Sequence, residues 1–157
     1  MKQIKDGDIL HCKSNSVLSK LIRYFTKGRY SHTALVISLE GILFIVDSQH
    51  DGTRIRTFEA WKNTYNYKYK ISRPLDPKQK LLQEVKEYIN TSYGYGDMLR
   101  HLFLSYTGIW LGSKRESKHL ICSEFVMRIY GMKDAYRANP TDAYIWCLEN
   151  DFETFNQ

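Results

Sequence analysis

The sequence predicts an α+β fold, a mostly antiparallel sheet flanked by helices. The hydrophobic period changes at His32, where residues 33–39 and 42–47 become near-continuous runs of β-branched and apolar side chains. Apolar residues recur at helical spacing within 18–25, 81–89 and 121–130, before and after that stretch.

Each element has a local reason. Residues 7–12 read as a short strand after an Asp6-Gly7 turn signal. Leu18, Leu21, Ile22 and Phe25 then mark a helix opened by Ser14 or Asn15 and closed by Gly28, with Lys20, Arg23 and Lys27 on its other, solvated face. Glu40-Gly41 is a two-residue hairpin turn joining two strands too apolar for the edge of a sheet. Residues 53–58 and 65–72 follow as strands, the second with Tyr67, Tyr69 and Ile71 on one face and Lys68 and Lys70 on the other. Asp76-Pro77-Lys78-Gln79 has the form of a helix start. Leu81, Leu82, Val85, Tyr88 and Ile89 supply its stripe. A Gly/Tyr loop at 92–97 leads to a helix over 98–106, and 112–118 is a polar, charged loop. An amphipathic helix over 121–130 ends at Gly131, and Thr141 caps a last short helix after Pro140.

Composition narrows the class. A chain of 157 residues with 43% hydrophobic and 25% charged residues is expected to form one domain over 1–157, and is not collagen-like, disordered or a disulfide scaffold. The three cysteines, Cys12, Cys122 and Cys147, form no C-x-x-C motif, so zinc-ribbon and thioredoxin-type sites are not expected. The N-terminal residues lack a signal-peptide h-region and the longest apolar run is residues 42–46, so the expected location is cytoplasmic. The net charge is +6, of which residues 1–32 hold +5, with seven basic and two acidic side chains.

Chemistry concentrates in Ile121-Cys122-Ser123-Glu124-Phe125-Val126. Cys122 falls in the first turn of a predicted helix, where unpaired N–H groups and the helix dipole stabilise an anion. Such a setting lowers the thiol from its usual value of about 8.5 and enriches the nucleophilic thiolate. The other reading is a small buried hydrophobe, a frequent fate of cysteine. A cysteine nucleophile needs a base and the base an orienter. His32 begins a long strand. Pairing Leu39 with Ile42 puts His32 opposite Gln49, with Asp47 two residues away on the same face. Asp47 and Gln49 both remain candidates for the orienting role, and Asp47 also reads as a strand terminator. His11, His101 and His119 read as surface or capping residues, and His50-Asp51-Gly52 as a turn. Cys122, His32 and Asp47 are suitable ligand types for zinc, but no fourth partner or spacing motif accompanies them, so no metal or cofactor is expected.

Gly7-Asp8-Ile9-Leu10, Tyr30-Ser31-His32-Thr33-Ala34-Leu35-Val36 and Ile121-Cys122-Ser123-Glu124-Phe125-Val126 resemble the three signature segments of permuted NlpC-type papain-fold proteins. Residues 18–26 and Pro140-Thr141-Asp142 resemble the YiiX-like branch, to which lecithin retinol acyltransferase-like proteins are related. The resemblance spans roughly Gly7 to Asp142. It implies a circularly permuted papain-like fold in which histidine precedes cysteine. It also implies Cys122 as nucleophile, His32 as base, and Asp47 at the third position, where many relatives carry glutamate.

The implied function is a thiol hydrolase or acyltransferase, amidase- or peptidase-like, acting on an amide or ester bond. The expected partner is a peptide, amide or lipid acyl substrate, the basic N-terminal segment suiting an anionic substrate or peripheral contact with a membrane. A second class is a non-catalytic lipid- or peptide-binding module of the same fold. A nucleic-acid-binding domain is disfavoured, because the basic residues do not interleave with aromatics in an RNA-binding signature.

Overall fold

A computed structural model describes residues 3–109 and 119–156. Among these described residues eight strands form in chain order: β1 (Ile9–Lys13), β2 (His32–Leu39), β3 (Ile42–Gln49), β4 (Gly52–Thr57), β5 (Lys68–Pro74), β6 (Ser92–Tyr93), β7 (His119–Leu120) and β8 (Phe152–Asn156). The helices are α1 (Val17–Phe25), α2 (Phe58–Thr64), α3 (Leu81–Lys86), α4 (Tyr95–Thr107), α5 (Cys122–Ile129) and α6 (Pro140–Glu149). Six strands make one antiparallel sheet in the order β4-β3-β2-β1-β5-β8, and β6 and β7 form a short parallel pair.

The β2–β3 hairpin keeps the predicted register, Leu39 opposite Ile42 and Leu35 opposite Val46. Glu40 and Gly41 both take positive φ, 50° and 81°. That is the left-handed pair whose twist suits a tight hairpin. Side chains alternate between two cores, as strand geometry requires. Ile9, Leu35, Ile37 and Val46 face Phe125 and Val126 of α5. Leu10, Ala34, Val36, Ile45 and Ile71 face Trp61 of α2. A central strand buried on both faces explains the near-continuous apolar run of β2.

Several boundaries differ from the sequence expectation. The N-cap of α1 is Ser16, whose hydroxyl accepts from the Ser19 N–H, rather than Ser14 or Asn15. Residues 58–64 turn into α2, capped by Thr57, because Trp61 gains a fully buried site under the sheet. The helix start read at Asp76 is not used: α3 begins at Leu81 without a side-chain cap. Asn139, not Thr141, caps α6, in a capping box with Asp142. Thr141 Oγ1 instead accepts the Tyr30 N–H, at 3.0 Å. The loop read at 112–118 lies outside the described residues.

Candidate active site

His32 opens β2, Asp47 lies near the end of β3, and Cys122 is the first residue of α5. Three elements therefore meet at one end of the sheet. Ser48 Oγ donates to the Leu120 carbonyl at 2.7 Å, tying β3 to the strand that feeds α5. Ser123 Oγ donates to the Ala138 carbonyl at 2.6 Å and fixes the first turn of the helix from the other side. Ile121, the N-cap, contributes no side-chain cap, so the N-terminal end of α5 keeps its positive character toward Cys122.

His32 Nε2 is 2.9 Å from Asp47 Oδ2, and Cys122 lies close enough to the ring to act on its protonation. With Nε2 engaged by the carboxylate, Nδ1 is the nitrogen left to meet the thiol. All three groups are buried, Cys122 being 5% exposed, His32 6% and Asp47 0%. Burial alone would lower the His32 pKa. The charges of Cys122 and Asp47 and the hydrogen bonds to both outweigh it and raise the ring to about 10, favouring the imidazolium. Asp47 shows the matching effect. Desolvation pushes its carboxyl up, but bonds to His32, Gln49 and Trp61 hold it below the usual carboxylate range.

Of Asp47 and Gln49, it is Asp47 that meets the ring. Gln49 Nε2 donates to Asp47 Oδ2 at 2.7 Å, so the amide supports the carboxylate while the carboxylate meets the ring. Three further contacts were not read from the sequence. Arg56 Nη1 donates to Asp47 Oδ1 at 3.0 Å, and Trp61 Nε1 donates to Asp47 Oδ2 at 3.0 Å. Tyr67 stacks on the His32 ring, with centroids 5.3 Å apart and planes 15° from parallel. A signal for Arg56 existed: β4 pairs Asp47 with Arg54, and Arg56 is the next residue on that face. Trp61 had none, because no element is expected between the strands at 53–58 and 65–72, where α2 forms.

The other histidines and cysteines separate from the site by environment. His11 and His101 are buried, contrary to the surface or capping role expected of them. His11 Nε2 lies 2.9 Å from Ser72 Oγ, and burial, then the charge of Lys70, lowers the ring to about 3. Cys12 pairs with His32 across β1 and β2, yet burial and nearby Asp47 and Cys122 push its thiol far up. Burial likewise raises Cys147 to about 12, against a hydrogen bond from Ser72. His119 belongs to β7 by its backbone.

A cleft of about 250 Å³ opens over Cys122 and His32, walled by Leu18 and Ile22 of α1, Met98 of α4 and Gln49. Beyond Ser14, Ser16 and Tyr67 it continues as a groove of about 560 Å³, where Lys13, Arg23 and Lys68 stand among Asn15, Asn66 and Tyr65.

Residues 3–139 match the family described as permuted papain-like amidase enzyme, YaeF/YiiX, C92 family. The chain belongs to that family. Among solved structures, the crystal structure of metalloprotein YiiX from Escherichia coli O157:H7 is similar at 18% identity. The match covers 99% of this chain and 98% of that one, with a TM-score of 0.61. At that identity the likeness concerns the fold, and it extends to the six-stranded antiparallel sheet and its helices. No curated protein sequence matches. The name of that relative attaches a metal to it. Here, among the described residues, no three His, Cys, Asp or Glu side chains converge as a ligand set. Asp47, moreover, is occupied by four hydrogen-bond donors.

Proposed function

We propose that this member of the permuted papain-like amidases is a thiol hydrolase in which Cys122, His32 and Asp47 act as nucleophile, base and orienter on an amide or ester carbonyl. The observation that carries the reading is His32, buried and held by Asp47, lining one cleft with Cys122 at the start of α5. A charged ring held beside a cysteine at the start of a helix is the pairing that cysteine acyl chemistry uses.

The steps follow. The Cys122 thiolate attacks the carbonyl carbon and the oxygen takes the negative charge. Backbone N–H groups of the first turn of α5 point toward that oxygen and stabilise it. The imidazolium of His32 gives its proton to the departing amine or alcohol, leaving a thioester on Cys122. The neutral ring then takes a proton from water as the water oxygen bonds to the thioester carbon. The C–S bond breaks, the acid leaves and the thiolate–imidazolium pair returns. A second acceptor in place of water makes the reaction an acyl transfer. Asp47 keeps Nε2 protonated, so that Nδ1 faces sulfur throughout. The cations Lys13, Arg23 and Lys68 in the adjoining groove favour a substrate with an anionic group beyond the scissile bond.

The test is alkylation by iodoacetamide across pH 5–8, read by mass spectrometry at each cysteine. Cys122 is expected to react while Cys12 and Cys147 stay unmodified. Equal rates at all three cysteines would sink the reading. A panel of acyl amides and esters, with and without an anionic group, then measures turnover in the wild type and its loss in Cys122→Ala.

A further inference from the structure

α1 is oriented inside out. An amphipathic helix on a folded protein turns its apolar stripe to the core. Here Val17, Leu18, Leu21, Tyr24 and Phe25 are exposed, Val17 by 74% and Tyr24 by 78%, and the buried residue of the helix is Ser19. At 100° per residue the five apolar side chains occupy one arc of about 120° centred opposite Ser19. The inward side is held by polar contacts instead. Ser19 Oγ lies 2.6 Å from Ser31 Oγ and donates to the Ser14 carbonyl at 3.0 Å. Arg23 donates to the Ser14 and Ser19 carbonyls at 3.2 and 3.3 Å. The sequence expectation, an apolar stripe inward and a basic face to solvent, is reversed for the stripe. α4, which packs against α1, adds exposed Leu99 and Phe103.

Charge says what this face is suited to. No acidic residue occurs between Asp8 and Glu40, whereas Lys13, Lys20, Arg23, Lys27 and Arg29 all fall there. Lys20 borders the apolar arc, and Lys27 and Arg29 follow the helix end as exposed side chains. An outward apolar face edged by cations is the form of a helix that lies in the plane of an anionic lipid surface. A second copy of the chain suits it less well, because two-fold pairing through this face would set the same cations against each other.

We propose that the α1 face is a docking surface for a bilayer containing anionic lipid, with Val17, Leu21 and Tyr24 entering the headgroup boundary and Lys20, Lys27 and Arg29 meeting the phosphates. This does not depend on Cys122 acting as a nucleophile. Leu18 is both exposed on the docking face and part of the cleft wall, so docking sets the mouth of the cleft against the lipid surface. The substrate class that follows is an acyl ester or amide held at a membrane interface.

The experiment is co-sedimentation of the full chain with vesicles of phosphatidylcholine alone and of equal parts phosphatidylcholine and phosphatidylglycerol, at low and high salt. Binding is expected on the anionic vesicles and is expected to weaken with salt. Lys20→Gln and Lys27→Gln should each weaken it about fivefold. The double variant Val17→Ser, Tyr24→Ser should weaken it about tenfold or more, with an unchanged circular dichroism spectrum, since both side chains point to solvent. Hydrogen exchange on the wild-type chain needs no variant: the vesicles should slow exchange in α1. The proposal is overturned by absent binding, by binding indifferent to lipid charge and to these substitutions, or by unprotected α1. It is also overturned by a dimer seen in light scattering that the double serine variant dissolves, which would assign the face to a second copy. Vesicle binding in Cys122→Ala separates this proposal from the catalytic one.

Discussion

Asp47 carries the heaviest load of any single residue. Its carboxylate is fully buried and accepts from His32, Gln49, Arg56 and Trp61, so both oxygens are filled. Burying a charge is costly unless it is paired and hydrogen-bonded, and this one is both. Asp47→Asn would turn an amide N–H₂ toward donors that need an acceptor. The expected results are a loss of about 3–5 kcal/mol in stability, by urea titration, and a fall of about 10²–10⁴ in turnover. A purely structural role would not move the pH profile. Because Asp47 helps to raise His32, and the imidazolium protonates the leaving group, Asp47→Asn should also shift the upper pH limit of turnover downward. Gln49→Ala removes one donor and leaves the ring contact, so its effect on that profile should be smaller and of the same sign.

At the scale of elements, the site depends on where α5 begins and on how β3 returns into β4. Phe125 is fully buried between α5 and the sheet. Phe125→Ala should cost about 3–5 kcal/mol, and alkylation of Cys122 should lose its selectivity as the helix loosens. The β3–β4 connection is constrained at Gly52. Its φ is +95°, and an added Cβ would stand 2.5 Å from the backbone oxygen of Thr91. That oxygen also accepts from Thr53 N–H at 2.9 Å and has little room to give. Gly52→Ala is therefore expected to lower stability by about 1–3 kcal/mol, read as a drop in the thermal midpoint. Gly41, also at positive φ but with open space around it, should lose less on the same change.

For the whole molecule, buried titrating groups set the pH window of stability. Asp47 sits below its ordinary 3.8, so its contribution is present above that value and is lost as pH falls through the folded value. His11 is lowered to about 3 from 6.5. The unfolded chain then binds a proton that the folded chain refuses, and stability falls as pH drops from 6.5 toward 3. His32 has the opposite sign: raised to about 10, it contributes fully below 6.5 and loses that contribution as pH rises through about 10. The prediction is a broad maximum near neutral pH with an acid limb in which His11 participates. His11→Phe should flatten that limb between pH 3 and 6.5 by up to one proton, about 1.4 kcal/mol per pH unit, in denaturant titrations at a series of pH values. If the slope stays unchanged, His11 is not the group that titrates.

The sequence by itself determined the α+β class, the hairpin and its register, and the positions of His32, Asp47 and Cys122 on a strand start, the adjoining strand and a helix start. These are local properties. Strand period, a two-residue turn and a helix boundary are written in neighbouring residues. Counting along a hairpin carries a pairing across some fifteen positions without knowledge of the rest. Only the tertiary structure decided that Cys122 reaches His32 across 90 positions of chain, that Gln49 serves the carboxylate rather than the ring, and that Trp61 and Arg56 complete the shell around Asp47. It also decided that α1 faces outward. Periodicity shows that a helix has an apolar stripe, but the direction of that stripe depends on what the remainder of the chain offers it. Here Ser31 and the carbonyls of Ser14 and Ser19 offered hydrogen bonds to the polar side.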